Sequence, residues 1–129
     1  MIYESNSAAQ TAQFARELAG KSKPGSVICL DGELGVVKTV FAQGFAGGLV
    51  IVEPVSSPTF TIVQVYEGGR LPLYHFDVYR IADPEEMEEI GYEDYFYGRG
   101  VCLVEWSVQI EELLPEDALR VRLEKDLER

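Results

Sequence analysis

Residues 32–39 read Gly32-Glu33-Leu34-Gly35-Val36-Val37-Lys38-Thr39, between an apolar run and a helical pattern. A loop in that setting suits phosphate. Successive backbone N–H groups and a helix N-terminus attract an anion, a lysine reaches the outer phosphates, and a threonine hydroxyl takes Mg²⁺. Against the pattern G-x-x-x-x-G-K-[ST] a single position fails: Val37 stands where the second glycine belongs. An isopropyl group there is expected to crowd the approach of phosphate to backbone and to restrict φ and ψ. By itself the stretch is open to two readings, a nucleotide site or a glycine turn before an ordinary helix.

Glu105 ends a second apolar run, Val101-Cys102-Leu103-Val104, which lacks alternation as buried parallel strands do. Ligands of open α/β sheets gather at the carboxyl ends of such strands, where a carboxylate can hold Mg²⁺ or position a water. The plainer reading is an exposed acid at a strand end. Trp106, the single tryptophan, suits stacking on a base or filling a core or interface. Asp77 lies between Phe76 and Val78, a costly place for a carboxylate without a partner or ligand, and Arg80 is the candidate for an internal salt bridge. His75 shares its face. A lone histidine reads as a hydrogen-bonded structural group, and without a second histidine or a cysteine cluster no zinc site is expected. Ser56-Ser57-Pro58-Thr59 reads as a turn or as a loop whose hydroxyls meet a γ-phosphate.

The elements that must position these residues alternate. Ser7 and Gln10 form a capping box for a helix that stops near Gly20. Pro24-Gly25 is a turn, residues 26–31 a strand, 32–37 a loop and 38–49 a helix. Two β-rich runs, 60–66 and 71–79, flank Glu67-Gly68-Gly69-Arg70 as a hairpin. The second run sets Leu73, His75, Asp77 and Tyr79 on one face and Tyr74, Phe76 and Val78 on the other. Asp83-Pro84-Glu85-Glu86 starts a helix, with Asp83 as N-cap and Pro84 at the first helical position. A strand at 101–105, a short helix at 107–114 and a strand at 119–123 complete an α/β reading.

The chain has 129 residues, expected to form one domain, and no repeat or linker divides it. Its net charge of −11 is uneven: residues 1–64 carry five acids and four bases, residues 65–129 seventeen acids and seven bases. Simple attraction to nucleic acid or to an anionic membrane is therefore excluded as the main binding force. Seven acids and no base lie between Asp83 and Asp94, a solvated face or a docking surface. Cys29 and Cys102 sit inside apolar runs and read as buried thiols on neighbouring strands. No leader-like or membrane-length apolar run is present, so a cytoplasmic location and no membrane contact are expected.

Taken together, Gly32-Glu33-Leu34-Gly35-x-x-Lys38-Thr39, Ser57-Pro58-Thr59-Phe60-Thr61, Tyr74-His75-Phe76-Asp77-Val78-Tyr79-Arg80, Asp83-Pro84-Glu85-Glu86, Ile90-Gly91 and Cys102-Leu103-Val104-Glu105-Trp106 resemble the TsaE family in order and spacing. That family comprises small P-loop ATPases of bacterial tRNA threonylcarbamoyladenosine (t6A) synthesis, and the likeness runs over about residues 3–123. The resemblance implies a three-layer P-loop NTPase-like fold with a mostly parallel central sheet and flanking antiparallel strands. It implies an ATPase subunit acting with TsaD and TsaB, which carry the tRNA, so that tRNA is met only indirectly. It places ATP or ADP on Gly32, Glu33, Leu34, Gly35, Val36, Val37, Lys38, Thr39 and Val40, with Trp106 near the nucleotide. Mg²⁺ falls to Thr39 and Glu105, and catalysis to Asp77 and Glu105. The sequence departs from the family at Val37, near Val50, where glycine is usual, and at Arg129, beyond which family members commonly continue. The alternative is a docking module of the same fold whose nucleotide binding Val37 has impaired.

Overall fold

The computed structural model describes residues 2–5, 8–31, 35–53, 55 and 62–125, the side chains of residues 2–5, 8, 35–36 and 123–125 aside. In chain order it contains β1 (Ile2–Ser5), α1 (Ala8–Gly20), β2 (Val27–Asp31), α2 (Gly35–Gly48), β3 (Val63–Tyr66) and β4 (Leu73–Asp77). There follow α3 (Glu85–Glu89), α4 (Tyr92–Phe96), β5 (Val101–Glu105), a 3₁₀ segment (Ser107–Leu113) and β6 (Leu119–Lys125). The strands form one six-stranded sheet in the order β1-β6-β2-β5-β4-β3. Every pairing is parallel except β3 with β4, so the expectation of several flanking antiparallel strands reduces to one edge strand. The opposite edge is β1, which is too short to carry a period and which the sequence reading missed.

Hydrophobic residues from the two sheet faces build two cores. Ile28, Leu30, Leu73, Val101 and Leu103 pack on one side with Ala15 and Ala19 of α1 and Phe41, Phe45 and Leu49 of α2. Cys29, Phe76, Cys102 and Val104 pack on the other with Met87, Phe96 and Ile110. Period-2 alternation within fully buried strands explains this division. Helices α1 and α2 approach very closely: a Cβ on Gly44 would lie 2.5 Å from the Ala12 carbonyl oxygen, and one on Gly48 would lie 2.5 Å from that of Arg16. Glycine at both positions allows the contact. Among the described residues no helix is long and apolar enough to cross a membrane.

Two helix ends correct or sharpen the sequence reading. Helix α2 begins at Gly35, three residues before the expected start at Lys38, which puts Val37 in its first turn. At α3, Asp83 Oδ1 accepts from the Glu85 N–H at 3.0 Å, in keeping with the expected Asp83 cap, while Glu86 Oε2 accepts from the Asp83 N–H at 3.0 Å. The Ser7 cap and residues 56–61 lie outside the described residues.

The end of α2 is closed by a Schellman pair, Val50 N–H to the Gly47 carbonyl and Ile51 N–H to the Ala46 carbonyl, both at 3.0 Å. This motif needs a left-handed residue, and Val50 supplies it at φ 62° with its side chain 63% exposed. A β-branched residue is strained there, and exposure leaves it little packing in return. Val50→Gly is expected to stabilise the protein by about 1 kcal/mol, since relief of strain exceeds the entropy that glycine adds to the unfolded chain. A urea midpoint that stays put or falls, at unchanged slope, would refute the strain assignment.

Candidate functional site

The parallel register gathers the candidate residues at one edge of the sheet. On β5, Glu105 pairs with Leu30 of β2 on one side and with Asp77 of β4 on the other. Asp31, Asp77 and Glu105 therefore end three adjacent strands side by side, next to the start of α2. Alternation sends Glu105 toward the α2 side of the sheet, as it does Leu103 two residues earlier.

Three buried polar side chains meet there. Lys38, in the first turns of α2, is 3% exposed, Glu105 is 3% exposed and His75 is fully buried. Lys38 Nζ lies 3.9 Å from Glu105 Oε1, and His75 Nε2 lies 2.6 Å from Glu105 Oε2. An ionised carboxylate only accepts, so the proton in the shorter contact belongs to His75 Nε2. The Lys38 ammonium also stands 4.2 Å from the centre of the Trp106 ring, a cation–π contact. At 3.9 Å the lysine contact is an ion pair and not a hydrogen bond. A buried lysine held this loosely by its carboxylate is suited to receive anionic oxygens.

Trp106 follows β5 in a left-handed conformation at φ 62°. Its ring lies 4.7 Å from that of Tyr79, whose carbonyl accepts from Gln109 Nε2 at 3.3 Å. Asp77 Oδ1 accepts from the Tyr79 N–H at 3.0 Å and makes no ion pair with Arg80, so the expected internal salt bridge is replaced by a local turn. Beside β5, Ser107 donates to Asp31 Oδ1 at 2.9 Å. Thr39 and Val40 follow Lys38 on α2, both half-buried. Gly35 and Val36 begin the helix, whereas Gly32, Glu33 and Leu34 lie outside the described residues.

Val37 is half-buried and packs against the core formed with α1. Its φ is negative, so the residue has ordinary helical backbone and not the glycine-only region. Its isopropyl group makes part of its contact with the hydrophobic core. The two cysteines are buried free thiols on neighbouring strands, as expected. Burial pushes the Cys29 thiol up to about 11 and raises that of Cys102 further, which keeps both protonated and out of the chemistry.

Residues 5–129 match the sequence profile of the family described as threonylcarbamoyl adenosine biosynthesis protein TsaE. The tRNA threonylcarbamoyladenosine biosynthesis protein TsaE of Bacillus subtilis is 50% identical over 116 residues, covering 90% of this chain and 72% of that protein. The chain belongs to the TsaE family. The family's member from Treponema pallidum is 44% identical over 119 residues, covering 92% of this chain and 87% of its own. The crystal structure of Bacillus subtilis YdiB matches with a TM-score of 0.75 at 42% identity, over 94% of this chain and 73% of that one. The fold is accordingly that of the P-loop NTPases, and the family's place is in threonylcarbamoyladenosine biosynthesis.

The histidine is the residue whose role the sequence reading understated. Its signal was present in the period-2 spacing that put His75 on the face of Asp77, but Glu105 lies 30 residues away and only strand pairing joins them. Lys38 is likewise buried in an ion pair, where the sequence suggested a lysine at a helix start that faces phosphate and lies outside the core. Lys38→Ala is expected to cost about 1–3 kcal/mol of stability, because Glu105 loses a countercharge but keeps the His75 hydrogen bond. Thermal melts of the two proteins without added ligand check this; an unchanged midpoint would mean that the ion pair contributes nothing.

Proposed function

We propose that this TsaE-family protein is a magnesium-dependent ATPase that binds ATP and ADP at the start of α2 and serves t6A synthesis. The supporting observation is the buried Lys38, near a helix N-terminus and 3.9 Å from Glu105 at the end of a parallel strand. A cation on a helix start is the arrangement that phosphate oxygens complement. Among the described residues no group of three or more His, Cys, Asp and Glu side chains forms a closed metal cage. Mg²⁺ takes one or two protein oxygens and completes its shell with phosphate and water.

In this reading the backbone of residues 32–37 cradles the phosphates, and Lys38 leaves Glu105 to meet the outer phosphate oxygens. Thr39 and Glu105 hold Mg²⁺, which would neutralise phosphate charge and align the oxygens for in-line displacement. Asp77, adjacent to Glu105 in register, orients the attacking water, and Trp106 covers the nucleotide. Partners resembling TsaD and TsaB would bring the tRNA, which accommodates a chain of net charge −11 in an RNA pathway. The docking-module alternative rested on Val37, and a Val37 side chain packed on the core gives it no support.

Because Trp106 is the single tryptophan and touches Lys38, its fluorescence should change and saturate on titration with Mg-ADP. Glu105→Gln should hold Mg-ADP within about fivefold of the parent while ATP hydrolysis, measured with and without the partner proteins, falls by roughly 10-fold or more. A flat titration would sink the nucleotide site, and equal hydrolysis rates would remove Glu105 from the reaction. Val37→Gly should change Mg-ADP affinity by no more than about threefold and lower stability by about 1–2 kcal/mol, through lost packing and a helical glycine. Tightening of about tenfold or more would show instead that the valine obstructs phosphate.

A further inference from the structure

We propose that His75 is a positioning residue that fixes the Glu105 carboxylate, setting which of its oxygens faces the metal; this rests on the nucleotide reading above. Strand register creates the pair. His75 of β4 stands opposite Leu103 of β5, so Glu105, two residues on, projects from the same face within reach of the imidazole. The contact is short, at 2.6 Å between Nε2 and Oε2, and fully buried on the histidine side.

Holding Oε2 leaves Oε1 as the oxygen on the Lys38 side. A glutamate has three side-chain torsions, and the short imidazole contact at Oε2 restricts the last of them before any ligand arrives. Histidine is also a poor choice for structure alone. Its other nitrogen, Nδ1, is buried without a hydrogen-bond partner among the described residues, an unfavourable state that an apolar residue would avoid. A group retained at such a cost, against the acid that ends β5, fits a demand made by the site. Residues that orient a metal-binding carboxylate typically change metal affinity or activity by about 10–100-fold when removed.

The test compares His75→Leu, His75→Asn and His75→Gln with the parent. Glutamine carries an amide nitrogen out to about the reach of Nε2, whereas asparagine stops near Nδ1 and leucine has no donor. Trp106 fluorescence reports ADP affinity at a series of Mg²⁺ concentrations, and steady-state hydrolysis gives kcat and KM separately. We expect leucine and asparagine to raise the Mg²⁺ midpoint about tenfold and to lower kcat by 10–100-fold. ADP affinity without metal, and KM, should stay within about twofold, and glutamine should recover most of both losses. Equal behaviour of glutamine and asparagine would overturn the proposal, as would a loss of metal-free ADP affinity in step with Mg²⁺ affinity, which marks a structural role. Should His75→Leu fail to fold, the glutamine–asparagine comparison decides alone. Absence of ADP binding by the parent protein would overturn the nucleotide reading itself, and this inference with it.

Discussion

A buried lysine, a buried carboxylate and a buried imidazole stand in a row at the carboxyl edge of the sheet, and their mutual compensation is the constraint around which the rest is arranged. Removing charges from water is strongly unfavourable unless partners are held in place. No short-range contact in the chain could hold these three, because they come from α2, β5 and β4. Parallel pairing of β5 with both β2 and β4 sets Glu105 between its neighbours. The glycine seam at Gly44 and Gly48 seats α2 against α1 at a distance that larger residues would forbid. Seating α2 in turn sets the position of Lys38.

Among the described residues, two with side chains adopt left-handed backbone, and they differ in what surrounds them. Val50 closes α2 while exposed, and its conformation serves a helix cap that glycine would form with less strain. Trp106 is partly buried and contacts both Tyr79 and Lys38. There the turn after β5 delivers a large ring to the edge where Glu105 ends the strand. Backbone strain of about 1–3 kcal/mol persists where neighbouring contacts outweigh it. The contacts around Trp106 are of that kind, and the exposure of Val50 is the opposite case.

Much of the acidic charge lies on α3 and α4, away from the strand ends. The carboxylates of α3 and α4 are mainly exposed, and Glu86 is engaged in capping, so the run from Asp83 to Asp94 is largely a solvated surface with a local structural use. Water screens those charges from the buried row. Within the buried row one lysine faces one glutamate, while Asp31 and Asp77 end the neighbouring strands.

From the sequence alone came the α/β class, β2, the hairpin of β3 and β4, the Asp83 cap, the buried cysteines, and Lys38 and Glu105 as candidates. These follow from local rules: apolar runs, period-2 faces, caps and motif spacing. Strand β1 was too short to show a pattern, and the start of α2 was misplaced by three residues because a glycine-bounded loop and a first helical turn look alike. Only the tertiary structure showed that Val37 packs against the core, that Asp77 caps a turn and does not pair with Arg80, and that His75 holds Glu105. Each of those depends on side-chain direction or on register between strands distant in sequence. Residue type and spacing are local properties of a chain, whereas which groups face one another across a parallel sheet is settled when the whole core packs.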